Sequence, residues 1–241
     1  VARAIEHCAA GTPHAVAAPL VRHYEAAAAG VAPGAAARKR AVDSAVRAAE
    51  QARARLGFED AASYLSRALA ALGDHDGPSG SRTEILLLLG DARACSGDKA
   101  AARAAFVEAA EHARRRGDWR GLARAALGFA GTWVRLVVRE DPAIVTVLEE
   151  ALATAPERRE PALRARIEAR LAMELVGREV TGRRHALALR AVERARRSGD
   201  ASALAFALTV QHVVSGDSET LDGRLAIARS ISSRSSKMRR R

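Results

Sequence analysis

Apolar and polar positions alternate with helical spacing along most of the chain, and the spacing itself recurs. In Phe58 to Asp74 (FEDAASYLSRALAALGD), Ala61, Leu65 and Ala68 share one face; at a displacement of 41, Ala102, Phe106 and Ala109 occupy the same intervals within Lys99 to Asp118. The later stretch places Ala102, Ala105, Phe106, Ala109 and Ala113 on one stripe, with Arg103, Glu108, Glu111 and Arg115 around it. That is the signature of an amphipathic packing helix. Ala113 to Asp118 (ARRRGD) returns as Ala195 to Asp200 (ARRSGD), a displacement of 82 and twice the first period. A fixed period of helical units marks a solenoid, whose units bury their apolar faces against their neighbours.

Gly-Asp pairs punctuate the pattern at 73–74, 97–98, 117–118, 199–200 and 216–217. Glycine closes one helix in the left-handed conformation, and the aspartate side chain accepts the free N–H groups that open the next. The spacing predicts helices near 14–29, 36–56, 58–72, 82–96, 98–116, 119–137, 142–154, 161–176, 183–198, 201–214 and 219–230. Val31 to Gly34, Gly73 to Ser81 and Ala155 to Pro161 collect Pro, Gly, Ser or charge and read as loops. Residues 1–230 form one expected helical-repeat solenoid. From Ile231 the apolar periodicity stops, and 231–241 reads as a disordered basic tail.

Composition narrows the class to all-α. Hydrophobic residues make up 49% and aromatics only 3%, which favours close-packed alanine-rich helices over sheets wanting aromatic and β-branched side chains. Lysine is confined to Lys39, Lys99 and Lys237 and asparagine is absent, a bias expected of a GC-rich genome. The net charge of +11 raises nucleic acid as a partner, but Arg234, Lys237 and Arg239 to Arg241 supply much of it. Elsewhere Arg interleaves with Glu and Asp as on a solvated helical face. Cys8 and Cys95 are too few for a disulfide framework, which fits a reducing cytoplasm, and no segment approaches the roughly 20 apolar residues of a membrane span.

Tetratricopeptide repeats carry a bulky residue and then Leu-Gly on helix A, with Ala, an aromatic and Ala on helix B. Leu86, Leu89 and Gly90, the turn at Gly97, and Ala102, Phe106 and Ala109 resemble that set. Ala49 with Phe58, Ala61, Tyr64, Leu65 and Ala68 resembles a preceding unit; Leu127-Gly128 opens a third and Leu171-Ala172 a more degenerate fourth. The chain up to about Ala228 also resembles the helical-repeat region of large ATP-dependent transcriptional regulators of the LuxR type from high-GC bacteria. That resemblance rests on RHYEAAA (Arg22 to Ala28), Ala41 to Leu69, the LLLLGDARACSGDKAAARAAFVEAAEHARRRGD unit and the LEEALA run from Leu148. It implies an ATPase module before such repeats and a helix-turn-helix after them, whereas these residues contain no G-x-x-x-x-G-K-[ST] phosphate loop.

Chemistry-bearing constellations are sparse. His7, Cys8, His14 and His23 fit no zinc spacing and are interrupted by Gly11 to Pro13. No nucleophile elbow, H-E-x-x-H pair or dinucleotide loop is present, and Glu149 and Glu150, being adjacent, point to different sides of a helix. The expectation is a non-enzyme with no cofactor or metal in this chain.

In repeats of this kind the helix A positions that do not pack internally line a concave groove. The register extrapolates to Glu84, Leu87 and Asp91, then Leu122, Phe129 and Trp133, then Arg166 and Met173, and Gln211. Phe129 and Trp133, one turn apart, would anchor a peptide or apolar effector; their helix is apolar on two sides, so filling the interior is the competing reading. The sequence therefore predicts a tetratricopeptide-like α-solenoid of antiparallel helix pairs, about five repeats. Its expected work is to hold a protein, peptide or small effector for a multidomain transcriptional regulator. The alternatives are a free-standing scaffold for protein complexes and nucleic-acid binding through the arginine-rich faces.

Overall fold

The computed structural model describes Val21 and residues 35–73, 81–131, 142–156, 159–176 and 182–215. Apart from Val21, the expected helix at 14–29 lies outside the described residues. So do the helix at 219–230, the basic tail, the His7, Cys8, His14 and His23 group, Asp74, Gly216-Asp217 and Trp133. Among the described residues the structure is all-α, with nine helices. They are α1 (Ala35–Ala54), α2 (Phe58–Leu72), α3 (Ser81–Cys95), α4 (Lys99–Arg115), α5 (Trp119–Ala130), α6 (Pro142–Thr154), α7 (Pro161–Glu174), α8 (Arg183–Ser198) and α9 (Ala201–Val214).

The joints form as the Gly-Asp pairs require. Gly73, Gly97, Gly117 and Gly199 all take positive φ, between 60° and 91°, where a side chain would be strained. Asp98 Oδ1 accepts the Ala101 N–H at 3.0 Å, Asp118 Oδ1 that of Gly121 at 3.0 Å, and Asp200 Oδ1 that of Ala203 at 2.8 Å. Each aspartate thus satisfies a donor that would otherwise go unmade at a helix start, a contribution of about 1 kcal/mol.

Two helix ends depart from expectation. α1 stops at Ala54, where the pattern ran to residue 56, because Leu56 takes φ 61° and the Gly57 N–H returns to the Ala52 carbonyl at 2.8 Å. The left-handed closing residue is therefore Leu56, 74% exposed, and not the glycine beside it. α5 stops at Ala130, short of the expected 137, because Gly131 takes φ 82°. Its last carbonyls are claimed by a side chain from α7, described below.

The chain divides into two compact units, Val1–Gly121 and Leu122–Arg241. In the first, α1 packs on α2, α2 on α3 and α3 on α4. Val21, Ala45, Ala49, Ala61, Leu65, Ile85 and Leu89 meet in its core. In the second, α6 packs on α7, α7 on α8 and α8 on α9, and α9 returns to α7. This paired-helix packing is that of a helical-repeat protein.

Both sequence periods are carried by the buried positions. Ala49, Ala61, Leu65 and Ala68 are all buried, as are their counterparts one short period on, Gly90, Ala102, Phe106 and Ala109. On α4, Ala105, Phe106, Ala109, Ala110 and Ala113 are buried; one long period on, so are Leu187, Ala188, Ala191, Val192 and Ala195 of α8. At Gly90 the fit is tight: a Cβ there would stand 2.6 Å from Phe106 Cε1. The missing side chain lets α3 and α4 close over the ring.

Candidate functional site

The site is built on the N-terminus of α7. Pro161 occupies its first turn, where the missing N–H costs nothing, and Glu160 before it holds φ 46°. Arg164 reaches back across the loop to donate to the Ala155 carbonyl at 2.6 Å and the Leu152 carbonyl at 3.2 Å. A cation thereby closes the C-terminal end of α6, where the helix dipole favours it, and the loop between the two helices is held down.

Arg166, two positions on, lies across from the α8–α9 joint, 3.6 Å from Asp200 Oδ1. Asp200 is fixed by its cap on α9, and Ser198 Oγ braces the joint, donating to the Ala195 carbonyl at 2.7 Å and accepting the Asp200 N–H at 3.1 Å. Between these groups opens a cleft of about 390 Å³. Pro161, Ala162 and Leu163 give it a short apolar wall, and Arg124 of α5 and Glu160 complete the rim. Arg166 and Asp200 are 38% and 36% exposed, so their pair is wet and contributes at most about 1 kcal/mol. A ligand carboxylate can replace Asp200 at Arg166 for little energy, with aliphatic groups seated on the wall.

Below the cleft α7 carries a buried ionic layer. Glu168, 2% exposed, accepts from Arg194 of α8 at 3.1 Å and 3.4 Å, and Arg164 and Arg190 stand 3.9 Å from it. Arg170, also 2% exposed, donates to the carbonyls of Ala130 and Gly131, the latter at 2.8 Å, and to Glu174 at 2.7 Å. α7 therefore supplies the closing cation for the ends of both α5 and α6. These charges fix the helices that shape the cleft; they do not line it.

Of the groove residues expected from the register, Arg166 lines the cleft. Leu87 and Leu122, at 2% and 3% exposure, belong to the packed interior and offer a ligand no surface. The helical period alone places them on a face away from the expected internal contacts, and it carries no information on what covers that face. Glu84 and Asp91 are exposed on α3 in the first unit. Phe129, Met173 and Gln211 are half-buried on α5, α7 and α9 and lie off the cleft wall. Trp133 is outside the described residues, so the proposed aromatic pair is represented by Phe129 alone.

Arg124, Glu160, Ser198 and Asp200 were not anticipated as site residues, although the Gly-Asp pattern had marked Asp200 as a cap. Among the described residues no group of three or more His, Cys, Asp or Glu is placed to hold a metal, and no helix is long and apolar enough to cross a membrane. The one described cysteine, Cys95, is an exposed free thiol. No family model matches the chain, and no curated protein matches it.

Proposed function

We propose that this chain is a tetratricopeptide-like interaction arm of a cytoplasmic, multidomain transcriptional regulator of the LuxR type, working by binding and not by catalysis. The observation that carries the reading is the shared buried register of Ala49/Ala61/Leu65/Ala68 and Gly90/Ala102/Phe106/Ala109, in which a small helix A residue receives a bulky helix B side chain. The cleft at the head of α7 is the contact point for a protein or peptide, or for a small acidic effector. Its rim draws on α5, α7 and the α8–α9 joint, so an occupant that bridges Arg124 and Arg166 favours one setting of those helices over others. Differential affinity of that kind biases attached domains. Arg194 is not available to phosphate, because the buried carboxylate of Glu168 holds it.

Crosslinking of the chain in a high-GC bacterial lysate, read by mass spectrometry, tests the proposal. Crosslinks should concentrate at residues 160–166 and 198–200 and disappear from an Arg124→Ala, Arg166→Ala variant of unchanged helicity. An identical set of partners in that variant would remove the cleft from the mechanism.

A further inference from the structure

Arg166 stands apart from its neighbours on α7. Arg164 and Arg170 spend their guanidinium donors on helix-end carbonyls, whereas among the described residues Arg166 makes no hydrogen bond. Its partner, Asp200 Oδ1, is 3.6 Å away, too far for one, and its donors border the cleft. Asp200 has matching capacity. The Ala203 N–H and the approach of Arg166 both fall on Oδ1, which leaves Oδ2 to accept. The α9 cap holds this carboxylate in place, and Ser198 holds its backbone. A guanidinium and a carboxylate thus stand side by side with donors and an acceptor open to a ligand. The rest of the rim repeats the balance: Arg124 and Glu160 add one charge of each sign. Pro161, Ala162 and Leu163, all half-buried, form the aliphatic wall. Among the described residues no aromatic side chain lines the cleft, and all that line it belong to the second compact unit.

Given the binding role proposed above for this cleft, we infer that its small effector is a free α-amino acid with an aliphatic side chain, an acid balanced by its own ammonium. The carboxylate goes to Arg166, the ammonium to Asp200 and the side chain to the wall at Pro161 to Leu163. Binding then exchanges one wet ion pair for two charge-assisted pairs with the ligand, and the cleft gains no net charge. An anion alone gains Arg166 but meets the carboxylates of Asp200 and Glu160; a cation alone meets two arginines. Only a ligand with both signs close together gains on both sides. In an α-amino acid the two groups sit on one carbon, which suits partners 3.6 Å apart. Each residue added to make a peptide moves its termini apart by about 3.5 Å. The volume of about 390 Å³ lies at the small end of ligand pockets, about 300–1,000 Å³. A sugar ring or a base finds no aromatic face here on which to stack.

The test is a ligand-observed NMR titration of the full chain with L-leucine and with two relatives that lack one charge each. Leucinamide keeps the ammonium without the carboxylate; isocaproate keeps the carboxylate without the ammonium. L-leucine should bind saturably, and each relative about tenfold more weakly or worse. Arg166→Gln and Asp200→Asn, both checked for unchanged helicity, remove one protein charge each, and asparagine preserves the cap on α9. Each variant should weaken L-leucine about tenfold or more. The losses should also be matched to the ligand: Arg166→Gln leaves leucinamide unweakened and Asp200→Asn leaves isocaproate unweakened, because each relative already lacks the group that the replaced residue holds. Absence of L-leucine binding, isocaproate binding as tight as that of L-leucine, or a variant that weakens all three ligands alike overturns the inference. If L-leucine fails while lysate crosslinks at 160–166 and 198–200 still depend on Arg124 and Arg166, the cleft keeps its protein-contact role and only the amino acid is overturned.

Discussion

Replacing Arg170 with methionine isolates the energetic role of the cation that closes α5. The side chain is 2% exposed, so methionine keeps much of its stem volume while removing the guanidinium. Two kinds of partner are then abandoned: the carbonyls at the end of α5, including that of Gly131 at 2.8 Å, and the carboxylate of Glu174 at 2.7 Å, itself only 13% exposed. Hydrogen bonds to a charged group are worth about 1.5–3 kcal/mol each, and stranding one member of a buried pair costs about 3–5 kcal/mol. These overlap, since the stranded carboxylate is already counted in the second figure, so the expected loss is about 4 kcal/mol. With a urea slope of about 1.5 kcal/mol per molar for a unit this size, the midpoint falls by about 2–3 M. The chain has two compact units, so the readout should resolve them. Hydrogen exchange followed by mass spectrometry across a urea series suits this, with peptides from 161–174 reporting the effect and peptides from 58–72 as internal control. Arg170→Met with Glu174→Leu removes the stranded charge but not the open carbonyls, and should recover about half the loss. A single variant within about 0.3 M of the parent, or a double variant no better than the single, would show that water reaches those carbonyls and that the buried pair adds nothing.

Gly90→Ala should destabilise the first unit by about 1–3 kcal/mol in chemical denaturation despite alanine's better helix propensity, because its Cβ would stand 2.6 Å from Phe106 Cε1. Adding Phe106→Leu reproduces the Ala49 and Leu65 pair of the preceding unit and should restore most of that loss; a double variant weaker than the single refutes the equivalence of the two repeats. Asp200→Ala should cost about 1 kcal/mol, matching Asp98→Ala to within about 0.5 kcal/mol in thermal denaturation. The two caps are alike, and the extra Arg166 contact of Asp200 is too exposed to add much; a markedly larger loss at Asp200 would mean that the ion pair is structural.

The sequence was most legible where one residue decides the outcome locally. Gly97, Gly117 and Gly199 closed their helices, and Asp98, Asp118 and Asp200 opened the next, as their backbone freedom and side-chain acceptors dictate. It was less legible where a distant residue decides. The apolar run through Gly131 reads as one helix; it ends where Gly131 takes a positive φ, and the carbonyl there is taken by an arginine 39 positions further along the chain. Burial failed the same way: Leu87 and Leu122 have outward register positions and are 2% and 3% exposed, and nothing in their own helices reports what packs over them. The cleft drew on residues whose first duties are structural, such as a cap at Asp200 and a pre-proline turn at Glu160, so periodicity could not single them out. Glu168 and Arg170 did leave a trace, because in the longer repeat they fall on the positions of Leu86 and Leu88. A charge that replaces a core leucine in a repeat must bring its own partner, and both do.

That replacement bears on how such a chain keeps its helices in order. The apolar faces are mostly alanine and resemble one another closely, so burial alone discriminates poorly between a correct helix pair and an exchanged one. The polar contacts do discriminate. His112 on α4 shares a 2.7 Å hydrogen bond with Thr83 of α3, both at 3% exposure or less. Its counterpart in the longer repeat is Arg194, which meets Glu168 of α7. The helix B position is the same, but its partner is not: Thr83 corresponds to Ala165, and Glu168 to Leu86. Pairing α8 with α3 would set Arg194 against Leu86 and Thr83, a buried cation with no carboxylate. Pairing α4 with α7 would leave Glu168 without its arginine from the neighbouring helix. Each mismatch costs several kcal/mol, comparable with the whole margin by which a domain is folded. The common register thus supplies cohesion, and the private polar pair in each unit supplies the choice of partner.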